Sequence, residues 1–500
     1  MTRPSPGSRW PLLAVGLVTV WVFRGVLENG FFNFDDYECF VDNPMVHGLG
    51  WTQLKWMFTS LHLTAYQPLS WLAAALLWVA AGPSALPFHL ASLLLHTANA
   101  ILLCVLLSRI LERAAPSAGH WERMLAAGAA SLLWSIHPTK AAAVAWATKV
   151  SDLMAAFFFL CACLSYLGRG QEQGAAWRPG IRCSAWLFLA SGLSHWTGVV
   201  LPLVLILLDI YPLKRLGADP VGWCKGPSSK VWVEKWPFLA IALCLAAING
   251  LGKDQVAGID LLYGLTHPME AILAAAFYLR KVLFPTDLAV LYAVNGPAGL
   301  SPGAAVPLIL VPTFALAFPW RSAPLALGGW VLWLAGLLPS FAASAEGTIY
   351  GQDIYGYVPS MGLALMLSWA FMVALGFGGS ADERQGPLAR MKKLLLLTMA
   401  LGSAAAALSI LVPMSLRQTR LWREPEAVWR QTLAADPDLW IAHCNLAALL
   451  VGQGRRDESR PHFQEALRLR PGAQEWKKEI SAALRMMPPS SPGDGPFPAK

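Results

Sequence analysis

Long apolar runs recur at 11–27, 88–111, 358–376 and 394–414, and they constrain this chain more than any other feature. A helix of about 20 apolar residues spans the hydrocarbon of a bilayer. Composition agrees: 56% of residues are hydrophobic and 14% charged, against roughly 25% charged in a soluble domain. Mean hydropathy is +0.48. These observations indicate an all-α, polytopic membrane protein and exclude a soluble enzyme fold.

The net charge of +8 does not mark a nucleic-acid binder, because the cations cluster in short loops between apolar runs. Cations placed that way set topology. The eight cysteines are scattered through or beside apolar runs and suggest neither a zinc site nor a disulfide framework. The N-terminus, with Arg3 and Arg9 ahead of an apolar stretch and no small-residue cleavage site, reads as a retained first helix.

With Arg3 and Arg9 on the cytoplasmic side, the first helix (11–27) delivers a loop, 28–66, to the far face. The run 68–82 is short and reads as interfacial or re-entrant. Further helices are expected near 88–111, 124–141, 152–168, two within 183–211, and 236–252. A long external segment, 253–303, holds a partly immersed helix with Arg280 and Lys281. Spans near 304–319, 323–342, 358–376 and 394–414 bring the total to about eleven. The membrane domain would occupy 1–417.

Beyond it the composition turns polar and helical. "TLAADP" (432–437) and "ALRLRP" (466–471) are offset by 34 residues, the tetratricopeptide period. Counted from Trp440, the small and apolar positions of that repeat fall on Leu446, Ala447, Leu450, Ser459, Phe463, Ala466 and Pro471. A repeat domain is expected over 418–486, with helices at 424–435 and 473–485 around the repeat and a disordered tail at 487–500. So short an array buries little alone and leans on the membrane domain or a partner.

Asp35 and Asp36 lie just past the first helix, in "FFNFDDYECFVDNP". Charge so close to hydrocarbon is costly and commonly functional. The pair reads either as a solvated helix-end turn or as a general base with an orienting neighbour, and adjacency does not say which carboxylate is the base. His89, His96 and Asn99 share one helical face. Residues seven apart on a helix are roughly 10 Å apart, so interhelical hydrogen bonding fits them better than joint metal binding.

The phrases "FNFDDYECFVDNPMV", "YQPLSWL", "FHLASLLLHTANAILL", "SIHPTKAAAVAW", "LPLVLILLDIYPLKR" and "YGYVPSMG" occur in this order ahead of the repeat. The chain thereby resembles the membrane glycosyltransferases with C-terminal tetratricopeptide repeats, which include the transmembrane O-mannosyltransferases of animals. The resemblance implies a GT-C-like bundle. It also implies transfer of a sugar such as mannose from a polyprenyl- or dolichyl-phosphate carrier to a protein or glycan acceptor on the outer face. In that light Asp35 and Asp36 are the expected catalytic pair. His137, Lys149, Asp152, His195, Asp353 and Tyr355 are expected to bind the donor. His137 equally suits a helix-end cap, Asp152 complements a helix dipole, and Tyr355 and Tyr357 suit interfacial anchors or sugar stacking.

The family pattern is broken in places. Ala142 stands where relatives carry Glu, Ile354 where they carry Arg, "TKVSD" replaces most of a charged run, and His195-Trp196 replaces a Lys-Pro. Lys140, Lys149, His195, His267, Arg280 and Lys281 are the cations available to compensate. No cofactor is indicated, although some GT-C relatives use a divalent ion. Two rivals therefore accompany the transferase: an inactive assembly platform acting through its repeat, and a lipid-linked glycan flippase. The expected location is the bacterial inner membrane, with the repeat periplasmic.

Overall fold

The computed structural model describes residues 10–63, 65–168, 179–217, 222–251, 267–293, 299–317, 324–338, 344–345, 348–375 and 387–470. The expected helix 473–485 and tail 487–500 lie outside the described residues, as does part of segment 253–303.

Helices dominate, and they follow the apolar runs. The first part comprises α1 (Trp10–Phe23), α2 (Trp51–Thr59), α3 (Pro68–Ala81), α4 (Leu86–Ala114), α5 (His120–Ser135) and the short α6 (Ala141–Ala145). Next come α7 (Val150–Leu167), α8 (Pro179–Ser194), α9 (Leu201–Ile210), α10 (Ser229–Leu251) and α11 (Pro268–Leu283). The chain continues with α12 (Pro302–Ala317), α13 (Pro324–Gly336), α14 (Ser360–Ala374) and α15 (Pro387–Leu421), then α16 (Pro425–Ala435), α17 (Trp440–Gly452) and α18 (Arg456–Leu469). The strands β1 (Tyr292–Ala293), β2 (Ser344–Ala345) and β3 (Thr348–Gly351) form one small antiparallel ribbon in the order β1-β3-β2. Its register pairs Tyr292 with Gly351 and Ser344 with Ile349.

Among the described residues, six helical stretches are long and apolar enough to cross a membrane: Trp10–Glu28, Leu86–Ala114, Ala147–Leu167, Ser229–Asn249, Asp353–Ala374 and Leu394–Leu421. The other five expected spans correspond to shorter helices, α5, α8, α9, α12 and α13. Helix α5 stops at Ser135, short of the expected 141, because Pro138 removes a backbone donor and His137 ahead of it turns extended.

In hydrocarbon, helices associate by close packing and interhelical hydrogen bonds rather than by hydrophobic drive. The shared face of α4 works in this way. His96 Nδ1 lies 2.7 Å from the Tyr357 hydroxyl and Nε2 3.0 Å from the Ser135 carbonyl. Asn99 donates to the Leu153 carbonyl (3.0 Å) and to the Tyr357 hydroxyl (3.2 Å). Tyr357 is thus a buried tie among α4, α5 and α14, not an exposed ring for sugar stacking.

At the far end of α7 from Asp152, Asp209 is fully buried and pairs with Arg215 at 2.9 Å and with the equally buried Lys235. Arg215 and Lys235 neutralise it within the protein.

Helices α13 and α14 approach each other backbone to backbone. A Cβ on Gly329 would strike the Gly362 carbonyl, and a Cβ on Gly362 the Gly329 carbonyl. Gly362→Ala should force the two helices apart and cost about 1–3 kcal/mol, read as a lower thermal midpoint in detergent. Gly402→Ala, on α15 with nothing within 4 Å of the added methyl, should be neutral or slightly stabilising.

Candidate functional site

The loop after α1 doubles back over the start of α7, and one side chain holds it there. Asp36 is fully buried. One of its oxygens accepts the Phe32 N–H at 2.9 Å and the other the Thr148 N–H at 2.8 Å. With both oxygens taken by backbone, Asp36 is a tie between the loop and the turn leading into α7. Burial raises its pKa from the usual 3.8 to about 7, against those two donors and with the Asp35 charge adding to the rise.

Asp35 differs from its neighbour. It is half-buried, and its Oδ2 lies 3.7 Å from Lys149 Nζ. Burial raises its pKa above the ordinary carboxylate range, opposed by Lys149. Lys149 itself sits 4.0 Å over the Trp146 ring, a cation–π contact that fixes the ammonium beside Asp35.

One turn into α7, Asp152 Oδ1 lies 3.2 Å from His195 Nδ1, which also lies 3.2 Å from the Thr197 hydroxyl. His195 ends α8 and caps the following 3-10 turn, Trp196–Val200. Asp152 and Thr197 line a small pocket with Tyr355 and Ile354. Tyr355 lies within electrostatic reach of both Asp152 and Asp35. Asp35, Lys149, Asp152, His195 and Tyr355 therefore form one constellation.

His137 and Asp353 belong to a different neighbourhood. His137 Nε2 lies 2.9 Å from the Val282 carbonyl, strapping the end of α5 to α11, while Nδ1 lies 2.8 Å from the Thr139 hydroxyl and caps the local turn. Asp353 accepts the Tyr292 hydroxyl at 3.0 Å. Nearby, Lys140 is almost wholly buried, donates to Ser360 Oγ at 2.7 Å and lies 5.1 Å over the Trp134 ring. Lys140 caps a groove of about 510 Å³ between α5, α14 and α15, with apolar walls that include Leu133, Leu367, Ala407 and Leu411. Lys281, considered above as a compensating cation, instead binds the carbonyls of Thr286 (3.0 Å) and Asp287 (2.7 Å).

The two neutral departures lie close together in the fold. Ala142 and Ile354 are buried, and α6 packs against the turn Asp353–Gly356. A Glu and an Arg on these facing elements have opposite charges, so replacing both leaves no orphan ion. Among the described residues, no three His, Cys, Asp or Glu side chains converge as metal ligands would.

Sequence reasoning missed an aromatic roof over the loop. Phe32 packs on Trp146 (5.8 Å), Trp422 (5.1 Å) and Trp429 (5.3 Å), and Phe34 on Trp146 (5.8 Å) and Trp429 (5.5 Å). The paired tryptophans of "LWREPEAVW" (421–429), polar around them and outside any apolar run, were the available signal.

Comparison with known proteins adds an independent observation. The chain is 32% identical over 116 residues to the protein O-mannosyl-transferase Tmtc2 of Drosophila melanogaster. It resembles the tetratricopeptide-repeat O-mannosyltransferases. That match covers 23% of this chain and 11% of the fly protein. A second match, to the protein O-mannosyl-transferase TMTC4 of Mus musculus, is 30% identical over 178 residues and covers 33% of this chain and 24% of the mouse protein. The chain thus aligns with a quarter or less of the length of either relative. No protein-family model matches the chain.

The raised pKa of Asp36 has a stability consequence whose sign is fixed. Folding takes up a proton between the unfolded value of 3.8 and the folded value of about 7. Stability should therefore fall as pH rises from about 4 to about 7 and level off above that. Thermal unfolding in detergent across that window should show the slope in wild type and a flatter profile in Asp36→Asn.

Proposed function

We propose that this protein is a membrane glycosyltransferase that moves a sugar from a polyprenyl- or dolichyl-phosphate carrier to a hydroxyl of a protein acceptor. The carrying observation is the division of labour in the Asp pair. Asp36 is spent on two backbone amides, while Asp35 stays half-buried beside Lys149, with Tyr355 in electrostatic reach of it and of the Asp152–His195 pair. The similarity to two O-mannosyltransferases supports the same reading.

In this reading Asp35 is the general base. It accepts the proton of the acceptor hydroxyl as that oxygen bonds to the anomeric carbon. The bond from that carbon to the carrier phosphate breaks, and the electron pair leaves on the phosphate. A pKa above the ordinary carboxylate range makes Asp35 a stronger base once ionised. Leaving phosphate needs cations or donors nearby. Lys149 stands beside Asp35, and the Lys140-capped groove offers an apolar wall for an isoprenoid chain with an ammonium at one end. Polyprenyl phosphate as the carrier and an extracytoplasmic site, periplasmic if the host is bacterial, belong to the same proposal.

A second reading, an inactive platform, is favoured by the packing of Ala142 and Ile354 into apolar clusters where relatives place charge. Transfer assays separate the two. Purified protein, defined radiolabelled polyprenyl-phosphate sugars and a cell-envelope acceptor extract should give transfer. Asp35→Asn should lower kcat by at least about 10²-fold with KM little changed, and Lys140→Gln should raise KM for the donor. The wild-type rate should rise with pH as Asp35 ionises, with its midpoint above the ordinary carboxylate range. A folded wild type that transfers no sugar from any donor would overturn the transferase reading in favour of the platform.

A further inference from the structure

We infer that Trp429, on the first helix of the repeat region, is a positioning residue for the loop that carries Asp35 and Asp36, so that the repeat region is built into the site rather than free to dock peptides. This rests on the assignment of that loop to the reaction.

The grip is specific in chemistry as well as shape. Trp429 is fully buried and stacks on Phe32 at 5.3 Å with an interplanar angle of 25°, and meets Phe34 edge-on at 5.5 Å and 90°. Between those rings, its indole N–H donates to Asn33 Oδ1 at 3.0 Å. Asn33 in turn donates to the Asn445 carbonyl of α17 at 3.3 Å. Three consecutive residues of the loop, Phe32 to Phe34, are thus held by α16 and α17 immediately before the Asp pair. The hold passes onward, because the Phe32 N–H binds Asp36 and Asp36 binds Thr148.

A parallel path runs through Trp422. Its ring contacts Trp146 at 5.8 Å, Trp146 carries Lys149 on its face at 4.0 Å, and Lys149 pairs with Asp35. The repeat region is anchored at other points too. Thr432 accepts the Val290 N–H at 3.3 Å and Asp436 the Ala293 N–H at 2.9 Å. These bonds fasten α16 and its C-terminal end to segment 290–293, from the same helical face that carries Trp429. The aromatic and polar face of α16 is thus committed to its own chain.

Plain packing and positioning differ in what they move. Full-length Trp429→Phe keeps a ring and removes the N–H, and Asn33→Ala removes its acceptor. Amide exchange of segment 31–42, read by mass spectrometry in detergent, should rise about five-fold in Trp429→Phe, the loss expected of one buried hydrogen bond, and at least as much in Asn33→Ala, which also loses its bond to the Asn445 carbonyl. The double variant should add little to Asn33→Ala, since that variant already lacks the bond Trp429→Phe removes. Phe463→Leu, inside the α17–α18 pair, should leave segment 31–42 unchanged. In the transfer assay Trp429→Phe should lower kcat without raising KM for the donor. Unchanged exchange at 31–42 in a folded Trp429→Phe, or a rise spread evenly along the chain, would overturn the inference. A wild type that transfers no sugar while exchange responds as expected would sink the transferase reading and leave the clamp standing.

Discussion

A carboxyl group shut away from water is the constraint on which the site depends. Burying Asp36 without partners would cost several kcal/mol, so its oxygens must be met, and the groups that meet them come from two distant parts of the chain. Phe32 lies four residues before it and Thr148 more than a hundred after it. Satisfying one side chain therefore fixes where the loop after α1 crosses the start of α7. That crossing sets Asp35 beside Lys149 and brings Asp152, His195 and Tyr355 within reach. The apolar rings around Phe32 keep water from competing for the same amides.

Much of the architecture was legible in the chain because hydrocarbon imposes simple rules. Apolar runs became helices, and His96 and Asn99 became interhelical ties, while His89 on the same face reaches the Gly30 carbonyl of the first loop. The small positions of the repeat, Leu446, Ala447, Leu450, Ser459, Phe463 and Ala466, are buried between α17 and α18 or against the membrane domain. The site was legible only as a set of names. Nothing local distinguishes Asp35 from Asp36, because the distinction is made by the amide of Thr148. His137 and Asp353 looked like partners of Lys149 and Asp152, yet their bonds go to Val282 and Tyr292. Trp429 lay outside the motifs because its role comes from a contact 396 residues away.

The neutral positions follow the physics of buried ions. Removing one member of a buried pair leaves a costly orphan charge, whereas replacing both by apolar groups is often neutral or stabilising. Ala142 and Ile354, on elements that pack together, are the kind of joint change a fold tolerates. The groove has its own logic. Helix α15 is 35 residues long, about 52 Å as a helix, and it leaves Met391, Leu394, Leu395 and Met399 exposed. Such a helix is suited to stand against lipid while its other face walls a chain-shaped space.

The contact between Trp429 and Asn33 also sets an order of events in biosynthesis. The loop emerges from the ribosome near the beginning of the chain, and the ring that closes over it comes 396 residues later. At translation rates of about 5–20 residues per second, that interval is roughly 20–80 s. Throughout it the first loop lacks the Trp429 ring. A product of premature termination before α16 keeps the Trp146 contacts to Phe32 and Phe34 and the Thr148 bond to Asp36, but lacks the Trp429 ring and its hold on Asn33. Completion of the polypeptide is thereby the step that assembles the site, and an unfinished copy in the membrane lacks the closure over its acidic loop.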